Sequence, residues 1–275
     1  MVELEPGGAA PILEARHLVR VFGGGRTWWG AKKPELRAVD GVSLAVRPGT
    51  TLGIVGESGC GKSTLARMLV GLIPPTEGTI RLEGQPVSRL KGGAKRRFHQ
   101  AVQLVFQDPI ASLNPRKTVR QILEGPLEAL TGLDSTARRE RVARLMDEVG
   151  LRPEFIDRYP HEFSGGQAQR IGIARALAPE PRLIVLDEPV SALDVSVQAQ
   201  VLGLLKDLQA RLGLTYLFIS HDLAVVEALA TDVMVMLRGR AVEQGPRSEV
   251  FTRPEHGYTR TLLEAVPVPG RRRTA

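Results

Sequence analysis

One glycine-rich segment constrains this chain more than any other. It follows the apolar run 52–55, precedes the helix-favouring residues 65–70, and reads Gly56-Glu57-Ser58-Gly59-Cys60-Gly61-Lys62-Ser63-Thr64. A strand, a glycine loop and a helix in this order are typical of a P-loop, whose backbone N–H groups surround an anion at the positive end of a helix dipole. We therefore predict a mononucleotide site, with Lys62 on the β- and γ-phosphates and Ser63 at a Mg²⁺ ion.

Composition favours a soluble protein of the cytoplasmic compartment. The 275 residues, 43% of them hydrophobic, are enough for one large domain or two small ones. No run approaches the roughly 18–20 consecutive apolar residues of a membrane span, and the first residues lack the basic start and apolar core of a signal peptide. A single cysteine, Cys60, excludes internal disulfides and multi-cysteine metal sites.

Basic residues exceed acidic ones, 37 against 30, which gives a net charge of +7. They concentrate at residues 91–97 and in the tail at 271–273. Two interpretations stay open: a solvated surface with a frayed terminus, or proximity to anionic lipid and, less readily, to nucleic acid.

Strands alternate with helices along the chain, which predicts an α/β fold with a mostly parallel sheet. The apolar run 183–186 is typical of a central strand buried on both faces, and 79–82 of an edge strand. A glycine-rich insertion at 23–35, which holds Trp28 and Trp29, predicts a surface loop. Further strands are expected at 12–22, 39–46, 101–106, 215–219 and 233–237, and helices at 119–130, 138–149, 168–177 and 195–212.

Two adjacent acids follow the apolar strand at 183–186. A P-loop enzyme needs a second acid near its phosphates, and Asp187 suits a Mg²⁺ shell while Glu188 suits orienting the attacking water. The same pair could also be an ordinary strand end.

A second glycine pair opens a helix at Ser164-Gly165-Gly166-Gln167. Serine at an N-cap followed by two glycines makes another anion-binding helix start. One chain binds one triphosphate at Lys62, so a second phosphate site serves another molecule, or else the segment is simple capping.

Taken in order, the P-loop, Ser164 to Gln167, Asp187-Glu188 and Ser220-His221-Asp222 resemble the ATP-binding cassette (ABC) family over residues 12–265. The resemblance implies an α/β fold: a P-loop NTPase core with a mostly parallel sheet, an antiparallel β subdomain and a helical signature subdomain. The whole is expected to form a single ABC ATPase domain within residues 1–265. Its expected parts are the core with its β subdomain at 12–107 and 180–245, the helical subdomain at 108–179, a C-terminal helical extension at 246–265 and a disordered basic tail at 266–275.

The family resemblance also implies how two chains share ATP. The signature residues Ser164, Gly165, Gly166 and Gln167 would contact the γ-phosphate of an ATP held by a partner cassette. Asp194 falls in the loop 191–194, which crosses the interface between cassettes in this family.

Within one cassette the resemblance assigns four further roles. Lys62, Ser63, Asp187 and the P-loop residues would hold ATP and Mg²⁺. Gln107 matches a glutamine that senses Mg²⁺ and water and couples to the membrane subunits, and His221 matches a histidine that contacts the γ-phosphate and holds Glu188. Phe22 is the candidate for stacking on adenine, with Trp28 or Trp29 as alternatives.

Several segments resemble the oligopeptide, dipeptide and nickel importer branch. Residues 116–123 and the tail, rich in proline and then in arginine, lean towards its nickel-import members. This branch implies an ATPase on the cytoplasmic face of the cell membrane, with a second cassette that is the same or a homologous chain, two permease subunits and, indirectly, an extracytoplasmic solute-binding protein. The segments are 106–109, 112–116, 159–163, 243–245 and 254–259.

Two other functions were weighed against transport. A soluble ABC ATPase that acts on nucleic acid or ribosomes would usually carry two cassettes, long coiled-coil arms or zinc modules, for which these 275 residues leave no room. A P-loop GTPase would need an Asn-Lys-x-Asp clamp or its Thr variant, and the single asparagine, Asn114, precedes Pro115.

Overall fold

The computed structural model describes residues 10–24, 29, 35–88 and 90–265. Its strands are Leu13–Gly23 (β1), Glu35–Val46 (β2), Thr51–Val55 (β3), Glu77–Leu82 (β4), Gln85–Pro86 (β5), Val102–Val105 (β6), Leu183–Asp187 (β7), Thr215–Ile219 (β8), Asp232–Leu237 (β9) and Arg240–Pro246 (β10). Its helices are Lys62–Leu69 (α1), Gly92–Ala101 (α2), Val119–Leu130 (α3), Ser135–Glu148 (α4), Gly165–Leu177 (α5), Val195–Leu212 (α6), Leu223–Leu229 (α7), Arg247–Thr252 (α8) and Gly257–Glu264 (α9).

The strands form two sheets. One is antiparallel, in the order β2-β1-β4-β5, and the other has the order β10-β9-β3-β8-β7-β6. In the larger sheet all neighbours run parallel except β10, which is antiparallel to β9. The predicted α/β class with an antiparallel β subdomain is therefore confirmed.

The core has two parts, on opposite faces of the larger sheet. Strand β7 shows this division, because Leu183 and Val185 join the part around α1 and the antiparallel sheet, while Ile184 and Leu186 join the part around α3, α4 and α5. All five residues of β7 are buried. The prediction that this strand is covered on both faces is confirmed.

Four loops leave the carboxyl ends of the parallel strands at one edge of the larger sheet. The P-loop follows β3, Gln107 comes just after β6, Asp187 ends β7, and the Ser220-His221 pair follows β8. Ligands of open α/β sheets bind at this edge, so the topology alone gathers the predicted chemical groups.

Some elements were missed or misplaced. Strand β4 lies between β1 and β5, so the prediction of an edge strand at 79–82 was wrong. Helix α2 was read only as a basic run; it starts with two glycines and buries only Phe98, so it has no helical apolar period. The basic residues at its N-cap and within it are exposed, which fits both interpretations of this run: Lys91, Lys95, Arg96 and Arg97. Strand β10 and helix α7 were also missed, because the first is largely exposed or half-buried and the second spans only seven residues.

Other predictions fall outside the described residues. These are Trp28, most of the 23–35 insertion and the tail at 266–275. The proposed domain boundaries stay predictions. Across the described ranges, the helices are all too short or too polar to cross a membrane.

Candidate nucleotide-binding site

Close approach of the backbone explains two of the P-loop glycines. Gly56 has φ +150°, and a Cβ there would lie 2.2 Å from the Met236 carbonyl oxygen; Gly61 has φ +107°, and a Cβ there would lie 2.0 Å from the Ala38 carbonyl oxygen. A larger residue at either position would push the loop off β9 or β2. The loop is thus seated against both sheets by residues without side chains.

Lys62 is the first residue of α1, and its side chain folds back onto the loop. Its Nζ donates to the carbonyl oxygens of Gly56 at 2.7 Å and Glu57 at 2.8 Å. The residue is 4% exposed, so the ammonium group is fixed on the inner side of the loop. Gly61 caps α1 without a side-chain bond, which leaves the first N–H groups of the helix to an incoming anion.

Cys60 lies in the same loop and is buried. Burial raises the pKa of its thiol, and the nearby Lys62 only partly opposes this. A thiol in such surroundings is a poor nucleophile, because the reactive form is the thiolate. Its role is that of a small residue in a tight loop.

Ser63 and Asp187 meet as predicted for a shared metal site. The Ser63 hydroxyl donates to Oδ1 of Asp187 at 3.0 Å. Burial raises the pKa of Asp187, while the Ser63 hydrogen bond opposes the rise. A hydroxyl and one carboxylate beside a phosphate cradle fit Mg²⁺, which prefers oxygen ligands and usually takes only one or two protein carboxylates.

Glu188 is held by two other predicted residues. Its Oε2 accepts a hydrogen bond from Gln107 Nε2 at 3.1 Å and lies 3.1 Å from His221 Nδ1. Its backbone takes a left-handed conformation, φ +48°, which an L-residue adopts only when its surroundings enforce it. Gln107 and His221 therefore contact the same oxygen atom of Glu188. The roles of these three residues in water attack stay predictions.

A cleft of about 480 Å³ joins Gln107, Glu188 and the P-loop to the end of β1. Phe22 lines it, and the Arg20 guanidinium lies over the Phe22 ring at 4.7 Å. Trp29 is 88% exposed and does not line this cleft, so Phe22 is the better placed aromatic among the described residues. The cleft contains Phe22, Leu36, Arg37, Ala38, Ser58, Gly59, Gly61, Lys62, Ser63, Thr64, Gln107, Glu188, Arg238 and Gly239.

Five of these lining residues were not foreseen from the sequence. They come from the start of β2 and the β9–β10 turn, where no motif marks them; they are Leu36, Arg37, Ala38, Arg238 and Gly239. A larger cavity of about 710 Å³ lies at the opposite edge of the sheet, beside Pro48, Pro181 and Gly213. It holds none of the predicted site residues.

The signature segment lies outside the cleft. Ser164 caps α5 by accepting the Gln167 N–H at 3.4 Å, and the Gln167 side chain accepts the Ser164 N–H at 3.1 Å. A Cβ on Gly166 would meet Val197 Cγ1 at 2.4 Å, so this glycine allows close packing on α6. Asp194 caps α6, and the N–H of Val197 lowers the pKa of its carboxyl.

One contact to the P-loop was not predicted at all. The N–H of Glu57 donates to the hydroxyl of Tyr258, on α9, at 3.0 Å. From the sequence, the segment 254–259 indicates only a resemblance to the importer branch. The sequence contained its residues but not their distance from the P-loop.

Family models identify the chain along most of its length. One described as "ABC transporter" matches residues 39–191, more than half of the chain. Another, described as "Oligopeptide/dipeptide transporter, C-terminal region", matches residues 242–275.

Curated relatives are about half identical. The chain is 54% identical over 237 residues to the dipeptide transport ATP-binding protein DppF of Haemophilus influenzae, covering 86% of this chain and 72% of that one. It is 52% identical over 246 residues to the oligopeptide transport ATP-binding protein OppF of Escherichia coli, covering 89% and 74%. It is 50% identical over 262 residues to the oligopeptide transport ATP-binding protein AppF of Bacillus subtilis, covering 95% and 80%.

Solved structures show the same fold. The ATP-binding cassette MJ0796, in a dimeric post-hydrolysis state bound to ADP and Pi, matches with a TM-score of 0.75 at 26% identity, over 86% of this chain and 98% of that one. CbiO1 from Clostridium perfringens, part of the ABC transporter complex CbiONQ, matches with a TM-score of 0.74 at 29% identity, over 90% and 93%. The chain therefore belongs to the ABC transporter family, as one of its ATP-binding, ATP-hydrolysing proteins.

Proposed function

We propose that this chain is the ATPase subunit of an ABC importer that takes up peptides. The observation that carries the proposal is its 50–54% identity to proteins named for dipeptide or oligopeptide transport. The match of its C-terminal residues to the oligopeptide/dipeptide C-terminal region adds a second, separate part of the chain to the argument.

The site chemistry requires charge neutralisation and an oriented water. Lys62, Ser63 and the loop N–H groups bind the phosphates, and Asp187 with Ser63 and Gln107 would hold Mg²⁺, which supplies further positive charge when bound. Glu188 accepts hydrogen bonds from the water that attacks the γ-phosphate. His221 and Gln107 hold the Glu188 carboxylate at 3.1 Å and so fix its direction.

A second cassette completes the site in this proposal. Ser164 to Gln167 open a helix outside their own chain's cleft, and the Ser164 hydroxyl, which accepts one N–H, can still donate its proton outwards. The cassette MJ0796 has been solved as a dimer, which supports pairing of this fold. Closing on ATP and opening after hydrolysis would then be the working stroke.

In this proposal the closing and opening of the dimer reach the permease subunits through the surface beside Gln107. A second cleft of about 480 Å³ borders the nucleotide site there, with Asp187 and Arg67 at its inner side and Phe106, Asp108 and Ser112 further out. Ile110 nearby is 47% exposed. Arg175, near the end of α5, donates to the Ser112 carbonyl at 2.6 Å, so this groove is joined to the signature helix. We assign the groove to the permease subunits, which would place the chain on the cytoplasmic face of the membrane.

Cargo remains the finer question. Residues 116–123 and the proline- and arginine-rich tail favour nickel by resemblance, whereas the curated relatives above are named for dipeptide or oligopeptide transport. We therefore place peptides first and nickel second. An extracytoplasmic binding protein would deliver either cargo to the two permeases.

Reconstitution tests this function directly. The tagged chain is purified from its native membranes with its co-purifying subunits, reconstituted in liposomes with the binding protein, and assayed for uptake of labelled dipeptides, longer peptides and ⁶³Ni²⁺. We expect ATP-dependent peptide uptake that is lost in Glu188→Gln. Uptake of ⁶³Ni²⁺ but not of peptides would show that the cargo is nickel. Recovery with nucleic acid or ribosomes and no membrane protein would overturn the transport function.

A further inference from the structure

Tyr258 connects the C-terminal extension to the nucleotide site. Its hydroxyl accepts the N–H of Glu57, the second residue of the P-loop, at 3.0 Å across 201 positions of sequence. The phenol ring packs against the core, and the residue is only half-buried. The bond thus joins two segments that are distant in sequence.

The start of α9 is anchored firmly enough to aim this hydroxyl. Glu243, on β10, accepts the N–H groups of Glu255 at 2.9 Å and His256 at 3.1 Å. The His256 side chain then accepts the N–H of Tyr258 at 3.2 Å and caps α9. Because β10 is paired to β9 and β9 to β3, which ends at the P-loop, the anchor and its target share one sheet.

The Glu57 N–H belongs to the peptide group that joins Gly56 to Glu57. The carbonyl oxygen of the same peptide is that of Gly56, and it accepts Lys62 Nζ at 2.7 Å. In a trans peptide these two groups point in opposite directions, so Tyr258 binds one side of the plane and Lys62 the other. Donation from the N–H also polarises the carbonyl and strengthens its bond to the ammonium group.

The backbone preference of Gly56 does not by itself fix this peptide plane. Gly56 precedes it, with φ +150°, a conformation that glycine adopts without penalty and leaves equally easily. Glu57 is exposed and belongs to neither β3 nor α1. If the plane turned, the Gly56 carbonyl would no longer face Lys62.

We propose that Tyr258 is a positioning residue of the ATP site: its hydroxyl fixes the Gly56–Glu57 peptide plane and thereby the Lys62 ammonium group, so that the C-terminal extension sets ATP affinity. The proposal rests on the function of Lys62 as a phosphate ligand. Tyr258 contacts the loop without lining the cleft, and it takes no part in the chemical step.

The test replaces one atom. Tyr258→Phe in the full chain removes the hydroxyl and keeps the ring. We expect the Kd for ATP, measured by calorimetry, and the KM to rise about three- to tenfold, as for loss of one hydrogen bond, with kcat within about twofold. Amide hydrogen exchange read by NMR should accelerate at Glu57 in the variant and stay slow within α9.

A matched control separates positioning from general stability. Tyr216→Phe removes another phenol hydrogen bond, from Tyr216 to the Leu205 carbonyl at 3.0 Å, at a fully buried place outside the cleft. We expect this control to lower the melting temperature and leave the Kd for ATP unchanged. Equal changes of Kd in both variants would overturn the proposal, and so would a fall of kcat in Tyr258→Phe with the Kd unchanged.

Lys62→Ala distinguishes the two levels of inference. If Lys62→Ala abolishes ATP binding while Tyr258→Phe changes neither the Kd nor the exchange at Glu57, only the role of Tyr258 is refuted. If Lys62→Ala binds ATP normally, the nucleotide site itself was misassigned and the positioning role falls with it.

Discussion

The P-loop and the signature segment both open a helix with glycines, yet the first turns of the two helices are capped differently. Helix α1 begins after Gly61 with no side-chain cap, whereas α5 begins after Ser164 with a reciprocal cap between Ser164 and Gln167. Gln107 and Glu188 line the cleft in front of α1, Asp187 contacts Ser63 of that helix, and His221 contacts Glu188. The four signature residues are not part of the lining of this cleft.

This difference in capping supports the division of the ATP site between two chains that we propose. An uncapped helix start leaves its N–H groups for an anion that binds directly to it. A capped start is stable by itself, and it adds a hydroxyl proton that only an outside acceptor uses. Under the proposed function, the start of α1 binds the chain's own ATP and the start of α5 contacts the ATP of another cassette.

The largest effect is expected from Glu188→Gln. Steady-state ATP turnover should fall by about two to four orders of magnitude, because the amide cannot polarise the attacking water, while Gln107 and His221 can still contact it. ATP binding should persist, and dimers should accumulate on size-exclusion chromatography with ATP. Unchanged turnover would remove Glu188 from the catalytic role.

Packing behind the signature is probed by Gly166→Ala. The new methyl group would overlap Val197 Cγ1, at 2.4 Å, so we expect a loss of about 1–3 kcal/mol in the free energy of unfolding. The double variant with Val197→Ala should recover most of the loss in urea titrations. No recovery would show that the glycine serves something other than this contact.

Ser164→Ala sharpens the contrast between the two helix starts. Loss of the cap should cost about 1 kcal/mol of stability, and ATP affinity of the single chain should be unaffected, because Ser164 lies outside its cleft. Turnover should fall, since a partner's ATP loses a ligand. Weaker ATP binding by the monomeric protein would place Ser164 in its own site.

The smallest effect is expected on the pH dependence of stability, through the Asp187 carboxyl. Its pKa is raised by burial, so the folded state holds the proton more tightly than the unfolded one, and stability declines as pH rises through the raised pKa. Asp187→Asn should therefore unfold at slightly higher temperature than the parent at neutral pH. The gain should vanish below the ordinary value of 3.8. If the higher unfolding temperature of Asp187→Asn persisted in acid, its cause would be packing and not the charge of Asp187.

Sequence patterns predicted the fold where apolar period and burial coincide. Helices α3 and α6 and strand β8 begin and end at the expected residues, because each has a continuous apolar face or is buried throughout. Helix α2 and strand β10 could not be found this way. Their apolar residues are too few, and neighbouring elements decide their conformation.

Site residues divide along the same line. Motifs indicated Lys62, Asp187 and Glu188 as candidates, since phosphate chemistry demands fixed residue types at fixed spacing. Arg37 and Arg238 enter the cleft from strand ends that carry no motif. Tyr258 reaches Glu57 over 201 positions, a distance at which local pattern holds no information about contact.

Cys60 has a practical consequence. It is the single cysteine of 275 residues, it is buried, and its thiol pKa is raised. Thiol reagents should thus leave it largely unmodified in the folded protein, so that cysteines placed on the surface for spectroscopic labels give little background. Because Cys60 lies within the P-loop, its slow alkylation would also record how often the empty loop opens.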